Sequence, residues 1–126
     1  MDTHWIQTLV QAFYVYKGKM KIDMLIRQFL VHSFLYYQLD ESIISDENYD
    51  RICVQLKEVI VGQDKYLYQN LIENSLGNEG SGFSIPRKSY PPEIISTAFH
   101  LLYQDKFSGQ KSFVNFIQSY GYSIAA

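Results

Sequence analysis

The feature that most constrains the fold is the segment from Lys21 to Leu39, in which apolar residues recur at helical spacing. Its first apolar face comprises Ile22, Leu25, Ile26, Phe29, Leu30, Ser33, Phe34 and Tyr37. A second apolar face is formed by Met24, Val31 and Leu35. A helix that is apolar on most sides is usually buried at the centre of a fold. The segment therefore predicts a central helix against which the rest of the chain packs.

The other segments also have helical periodicity, and no hairpin turn is flanked by strands. The predicted helices are Thr3–Tyr16, which Lys17–Lys19 would end, Ser45–Val61, Lys65–Ser75 with Asp64 as N-cap, Pro91–Asp105 and Gln110–Tyr120. Residues 76–90 (LGNEGSGFSIPRKSY) contain three glycines and a proline and predict an irregular loop. The expected fold is all-α, a compact bundle of about five to six helices with C-terminal helices over 91–120.

Size and composition exclude several classes of protein. At 126 residues the chain has the size of a single domain, 1–126. A net charge of −2 excludes a strongly basic surface, so no direct nucleic-acid binding is expected. No signal peptide or membrane-spanning stretch is evident. The single cysteine, Cys53, excludes an internal disulfide and favours a reducing compartment, so we expect a cytoplasmic protein with no membrane partner.

The segment from Leu35 to Asp50 (LYYQLDESIISDENYD) joins the end of the central helix to the start of the next one. Tyr36 and Tyr37 lie in the last turns of the first helix. Ser45 is a good N-cap for the second helix, because its hydroxyl can accept a backbone N–H of the first turn. The segment therefore predicts a corner between two helices.

Two carboxylates and a tyrosine follow that N-cap. Asp46 and Asp50 are four residues apart and share a helix face, and Tyr49 lies on a neighbouring line. Like charges at this spacing repel by a few tenths of a kcal/mol. A ligand that donates hydrogen bonds, such as a ribose or a carboxamide, would relieve the repulsion. The corner is thus a compact polar and aromatic cluster that is suited to such a ligand.

The corner reads Y-Y-x-L-D-x-x-x-I-S-D-x-N-Y-D-R and resembles the small N-terminal (Ia-type) domain of NAD-dependent DNA ligases. The resemblance covers Ile22–Lys57 and crosses the corner without a gap. In that family the helical domain closes over the nicotinamide mononucleotide (NMN) half of NAD. The resemblance therefore implies weak NAD or NMN binding, without a metal, by Tyr36, Tyr37, Asp46, Tyr49 and Asp50.

The sequence departs from the family pattern at two positions and lacks the family's catalytic motif. Tyr37 stands where many members have histidine, and Ser42 stands where proline is common. No K-x-D-G motif with an adenylation lysine occurs, so we expect no enzyme activity and no catalytic residues. The candidate metal ligands are scattered along the chain and predict no metal site; they are His4, His32, His100 and Cys53.

Three interpretations remain open from the sequence. The first is a stand-alone, non-catalytic domain that resembles the ligase cap, in which the corner residues converge on one cavity. The second is a phage-type interaction protein that binds and modulates or inhibits a host enzyme, for example a defence or nucleic-acid-processing enzyme. That protein partner, of unknown identity, would contact exposed aromatics and the loop Gly77–Tyr90, with Arg87 and Lys88 as partner-binding residues. In the third, the motif serves only to fold the corner.

Overall fold

The computed structural model describes the backbone of residues 4–124 and the side chains of residues 18–124. Five α-helices lie in this part of the chain: α1 His4–Ser33, α2 Asp46–Ile60, α3 Gln69–Glu79, α4 Pro92–Leu102 and α5 Phe113–Gln118. π-Helical segments follow α1 (Phe34–Gln38) and α4 (Tyr103–Phe107), and a 3₁₀ turn spans Arg87–Ser89. Residues 4–124 contain no strand, which confirms the predicted all-α fold.

The N-terminal helix is longer than the sequence predicts. We expected Lys17–Lys19 to end a first helix, but α1 runs through these residues without a break. Gly18 costs a helix interior only about 1 kcal/mol relative to alanine, and lysine is a good helix former. This cost is too small to break a helix that continues on both sides. Thr3, the expected N-cap, lies outside the described residues.

The second helix forms as predicted. The Ser45 hydroxyl accepts the backbone N–H of Asn48 at 3.1 Å and caps α2. Asp46 lies in the first turn, where the positive end of the helix dipole favours a carboxylate. The buried face of α2, which includes Cys53 and Leu56, packs against α1. Together these interactions hold the start of α2 close to the end of α1.

The third helix is displaced relative to the prediction. It begins at Gln69 rather than Lys65, after Tyr68 in the left-handed conformation, so Asp64 is not its N-cap. It continues to Glu79, which shortens the loop expected over 76–90. The helix ends at Gly80, whose φ of +74° allows its N–H to bond the Leu76 carbonyl at 2.9 Å.

Of the two C-terminal helices, α4 packs against α1, and α5 packs against the π-helical segment that follows α4. α4 begins at Pro92, one residue after the predicted start at Pro91, which is its N-cap, and the turns after Leu102, over Tyr103–Phe107, are π-helical. α5 is shorter than the predicted 110–120, because Ser112 caps it by accepting the Asn115 N–H at 3.2 Å. The contacts of α4 with α1 and with Phe34–Gln38 place the C-terminal half directly behind the corner.

One aromatic side chain joins the two halves. Phe34 is fully buried and makes edge-to-face contacts with Tyr90, Phe99 and Tyr122 at centroid distances of 5.2, 5.8 and 6.3 Å. These partners come from the loop, from α4 and from the C-terminal tail. The segment that carries Tyr36 and Tyr37 is therefore anchored in the main core. Within the described residues, no helix is long and apolar enough to cross a membrane.

Candidate functional site

A cavity of about 240 Å³ lies at the corner between the first π-helical segment and the start of α2. The five residues predicted to bind a cofactor all line it: Tyr36, Tyr37, Asp46, Tyr49 and Asp50. The connection between the helices also contributes to the lining. The remaining lining residues are His32, Leu35, Glu41, Ser42, Ile43, Ile44, Ser45 and Ser81. The structure thus brings the predicted residues together, while their role in binding remains a prediction.

The π-helical segment and the turn after it direct the chain around the cavity. The Leu35 carbonyl accepts the N–H groups of Leu39 at 3.3 Å and Glu41 at 2.9 Å. Asp40 has a φ of +55°, a left-handed conformation that aspartate tolerates better than most residues do. The chain can therefore leave the helix sharply and return to α2 within a few residues. Single π-turns inside helices occur frequently at functional sites.

Three aromatic rings form the apolar wall of the cavity. The rings of Tyr36 and Tyr49 are nearly parallel, at 19°, with centroids 6.4 Å apart. Tyr37 meets Tyr36 edge to face at 4.9 Å, and Tyr49 at 6.3 Å. Tyr36 is 46% exposed, so part of its ring is available to a ligand. The wall presents π-faces that can pack against a planar or cationic group.

The hydroxyl of Tyr49 is occupied within the protein. It shares a hydrogen bond with the Ser33 hydroxyl at 2.7 Å and accepts the Gly82 N–H at 3.1 Å. Burial raises the pKa of the Tyr49 phenol far above its usual value, so the residue stays neutral. Tyr49 therefore offers a ligand its ring, while its hydroxyl connects α1 to the loop after α3.

The polar wall of the cavity is acidic. Asp46 and Asp50 are exposed at the start of α2, and Glu41 faces the cavity from the connection. Glu41 is held by Lys106, whose Nζ lies 3.0 Å from Glu41 Oε2, and by Tyr120, whose hydroxyl donates to Glu41 Oε1 at 3.4 Å. Among the described residues, no lysine or arginine lines the cavity. The site therefore favours cations and hydrogen-bond donors.

His32 also lines the cavity, and burial lowers the pKa of its imidazole. At neutral pH this histidine therefore adds no positive charge to the acidic wall. In the part of the chain that the structure describes, no group of three or more histidine, cysteine, aspartate or glutamate side chains is placed to hold a metal ion.

The two residues predicted to bind a partner lie away from this cavity. The Arg87 guanidinium donates from Nη2 to the Gln38 carbonyl at 3.0 Å and lies 5.4 Å from the centroid of the Tyr122 ring. Arg87 therefore has contacts inside the fold. Lys88 is exposed. Ser81 and Glu41 were not predicted as site residues. Glu41 lies within the predicted corner but was not singled out there, whereas Ser81 is brought to the corner only by folding.

Residues 17–60 match the family model described as the DNA ligase-like, N-terminal NAD+-binding domain. The match confirms the resemblance drawn from the corner and covers about a third of the chain. It includes all five predicted residues and ends at the last residue of α2, before α3 and Ser81. No curated protein and no solved structure shows significant similarity to this chain.

Proposed function

We propose that the chain is a non-catalytic module that binds the nicotinamide half of NAD or NMN at the corner between α1 and α2. The observation that carries this proposal is the convergence of Tyr36, Tyr37, Asp46, Tyr49 and Asp50 on one cavity. The match of residues 17–60 to an NAD+-binding domain supports the same ligand. The absence of a K-x-D-G motif from the 126 residues supports binding without adenylation.

The chemistry of the cavity fits an oxidised nicotinamide ring. The pyridinium ring of NAD+ and NMN is planar and positively charged. The rings of Tyr36 and Tyr49 can attract it through their π-faces, and Glu41, Asp46 and Asp50 provide negative charge nearby. The carboxylates also accept hydrogen bonds from ribose hydroxyls or from the carboxamide. The pyridinium ring, the ribose hydroxyls and the carboxamide N–H groups therefore each have a counterpart in the site.

The size of the cavity limits which part of the ligand is enclosed. Its volume of about 240 Å³ lies below the range of roughly 300–1,000 Å³ that encloses a drug-sized ligand. A cavity of this size can enclose only part of a dinucleotide. We assign that part to the nicotinamide riboside portion, and the rest of the dinucleotide extends into solvent. Partial enclosure means that the isolated chain binds weakly, in keeping with the affinity implied by the resemblance.

A titration with NMN and NAD+, followed by amide NMR, tests the proposal. We expect shifts at Tyr36, Asp46, Tyr49 and Asp50, and their loss in Asp50→Ala. Glu47→Ala is the matched control, because Glu47 is an exposed carboxylate of the same helix turn that does not line the cavity. If wild-type protein shows no shifts up to millimolar NMN, the corner does not bind this ligand.

Charge supplies a second test of the same site. NADH carries a neutral dihydropyridine ring, so it loses both the cation–π attraction and the attraction to the carboxylates. A cation–π contact contributes about 0.5–2 kcal/mol, so we expect NADH to bind roughly 2- to 30-fold more weakly than NAD+. Equal affinities would show that the acidic wall does not contact the nicotinamide.

A protein partner is the second candidate function, and the exposure of one aromatic ring favours it. Phe83 is 70% exposed in the loop after α3, and Lys88 is exposed a few residues further on. In this proposal a phage-type interaction protein binds and modulates a host enzyme through that loop. A partner captured by wild type and Asp50→Ala, but not by Phe83→Ser, would support it; retention by Phe83→Ser would reject it.

A further inference from the structure

The cavity has a wall that comes from outside the segment matched to the NAD+-binding domain. Ser81, at the start of the loop after α3, lines the cavity, and the next residue contacts Tyr49. We propose that Ser81 and Gly82 belong to the nucleotide site: Gly82 positions the Tyr49 ring, and the Ser81 hydroxyl contacts the ligand. This inference rests on the proposed function and names residues of the site beyond those implied by the resemblance.

Two hydrogen bonds fix the position of the Tyr49 ring. Its hydroxyl accepts the Gly82 N–H at 3.1 Å and bonds the Ser33 hydroxyl at 2.7 Å. One hydroxyl is thus held from α1 and from the loop at the same time. A tyrosine fixed at its hydroxyl end has little freedom to swing its ring. The loop therefore determines where the Tyr49 face stands relative to Tyr36.

There is no space for a side chain at position 82. A Cβ added to Gly82 would lie 2.5 Å from Ser33 Cβ and closer still to Ser33 Oγ. Ser33 is fully buried in α1 and has no room to move away. Only glycine allows the loop backbone to approach α1 closely enough for the hydrogen bond to Tyr49. The close approach explains why a glycine stands here even though its φ lies outside the left-handed region.

The loop is also attached to the π-helical segment that carries Tyr36 and Tyr37. Gln38 donates from Nε2 to the Ile85 carbonyl at 3.2 Å, and Arg87 returns a bond to the Gln38 carbonyl at 3.0 Å. Phe83 packs edge to face on Tyr37 at 5.6 Å. The loop is therefore connected to the π-helical segment as well as to α2, and these contacts fix the position of Ser81 at the edge of the cavity.

The Ser81 hydroxyl can donate a hydrogen bond to a ligand. Its Oγ accepts the Phe83 N–H at 3.3 Å, which leaves the hydroxyl hydrogen free to donate. The carboxylates of Asp46 and Asp50 provide only acceptors. A nicotinamide nucleotide carries acceptor oxygens on its carboxamide and phosphate. Ser81 is thus placed to donate to one of these oxygens, a contact that the acidic wall cannot make.

The test uses NMN titration of the full chain and three substitutions. One hydrogen bond contributes about 0.5–1.5 kcal/mol, so Ser81→Ala should weaken NMN binding roughly 2- to 12-fold without lowering the thermal midpoint. Ser81→Thr keeps the hydroxyl and should restore most of the affinity. Gly82→Ala should weaken binding more than 10-fold, because the loop must retreat from Tyr49.

Gly77→Ala is the matched control for Gly82→Ala. Gly77 lies inside α3 with nothing within 4 Å of an added Cβ, so the same chemical change should leave NMN affinity unaltered. Wild-type affinity in both Ser81→Ala and Gly82→Ala would overturn the inference and leave the proposed function standing. Absence of NMN binding by the wild type would instead overturn the proposed function and this inference with it.

Discussion

In the described part of the chain two π-helical segments each follow an α-helix, yet they present their side chains differently. Phe34–Gln38 follows α1 and leaves the rings of Tyr36 and Tyr37 on the wall of a cavity. In Tyr103–Phe107, after α4, the Tyr103 hydroxyl donates to the Lys111 carbonyl at 2.7 Å, and Phe107 packs on Phe116 at 4.9 Å. The aromatic side chains of the second segment thus have their partners within the fold, whereas the first segment retains aromatic surface for a ligand.

The two segments are also connected. Lys106 of the second segment pairs with Glu41, which lies three residues after the end of the first segment and lines the cavity. The C-terminal half therefore acts as a support for the corner, although it lies outside the matched residues 17–60. Both segments are π-helical, so the helix type does not mark the binding site. The site is marked by the aromatic surface that the fold leaves uncovered.

The largest expected effect separates two residues of the first segment. Phe34 is fully buried among three aromatic rings, so Phe34→Ala should lower the free energy of unfolding by about 3–5 kcal/mol. Tyr36, two residues later, is 46% exposed, so Tyr36→Ala should cost far less stability but abolish the NMN-induced shifts. Urea unfolding and NMN titration of both variants measure the difference. Equal losses of stability would remove the distinction between core and site within this segment.

An intermediate effect is expected from the Tyr49 hydroxyl. Tyr49→Phe leaves the Gly82 N–H and the Ser33 hydroxyl without their partner, which should cost about 1–3 kcal/mol of unfolding free energy. Tyr36→Phe is the control, because Tyr36 is more exposed. Chemical denaturation of both variants provides the measurement. A loss below that of Tyr36→Phe would show that the connection to the loop adds no stability.

The Tyr49 hydroxyl also makes the stability of the fold depend on pH. Because burial raises the folded-state pKa of Tyr49, the unfolded chain releases this proton first, near pH 10. The contribution of Tyr49 to stability is therefore complete below about pH 10 and is lost as the pH rises above that value. Burial also raises the pKa of Tyr90, so the decline should become shallower, but not disappear, in Tyr49→Phe. If stability declined with pH equally steeply in wild type and Tyr49→Phe, the decline would not come from Tyr49.

The smallest expected effect comes from the support of the corner by the second segment. The Lys106–Glu41 pair is partly exposed, so Lys106→Ala should cost only about 0.2–1 kcal/mol and weaken NMN binding slightly by loosening the connection. The difference from wild type should shrink at high salt, where exposed charges are screened. Lys111→Ala, which removes a nearby exposed lysine that is not paired with Glu41, is the control. If Lys106→Ala lowered the free energy of unfolding by more than Phe34→Ala does, the expected order of the effects would be wrong.

Much of the corner could be predicted because its signals are local. Ser45 caps α2 as expected, and residues 36–50 are close enough in sequence for helix spacing to bring them together. The helix boundaries were predicted less well. A glycine between lysines was interpreted as a stop within α1, and Gly77 was assigned to a loop although it lies inside α3. Single glycines lower helix stability only modestly, so neighbouring residues determine whether the helix continues.

The sequence by itself determined the all-α class, the capped start of α2 and the set of tyrosines and aspartates at the corner. Only the tertiary structure decided that Ser81 lines the cavity, that Gly82 holds Tyr49 and that Lys106 supports Glu41. The physical reason is the separation along the sequence of the residues that interact. Caps and helix faces depend on residues three or four positions apart, whereas Tyr49 and Gly82 are 33 residues apart and meet only after α3 has packed.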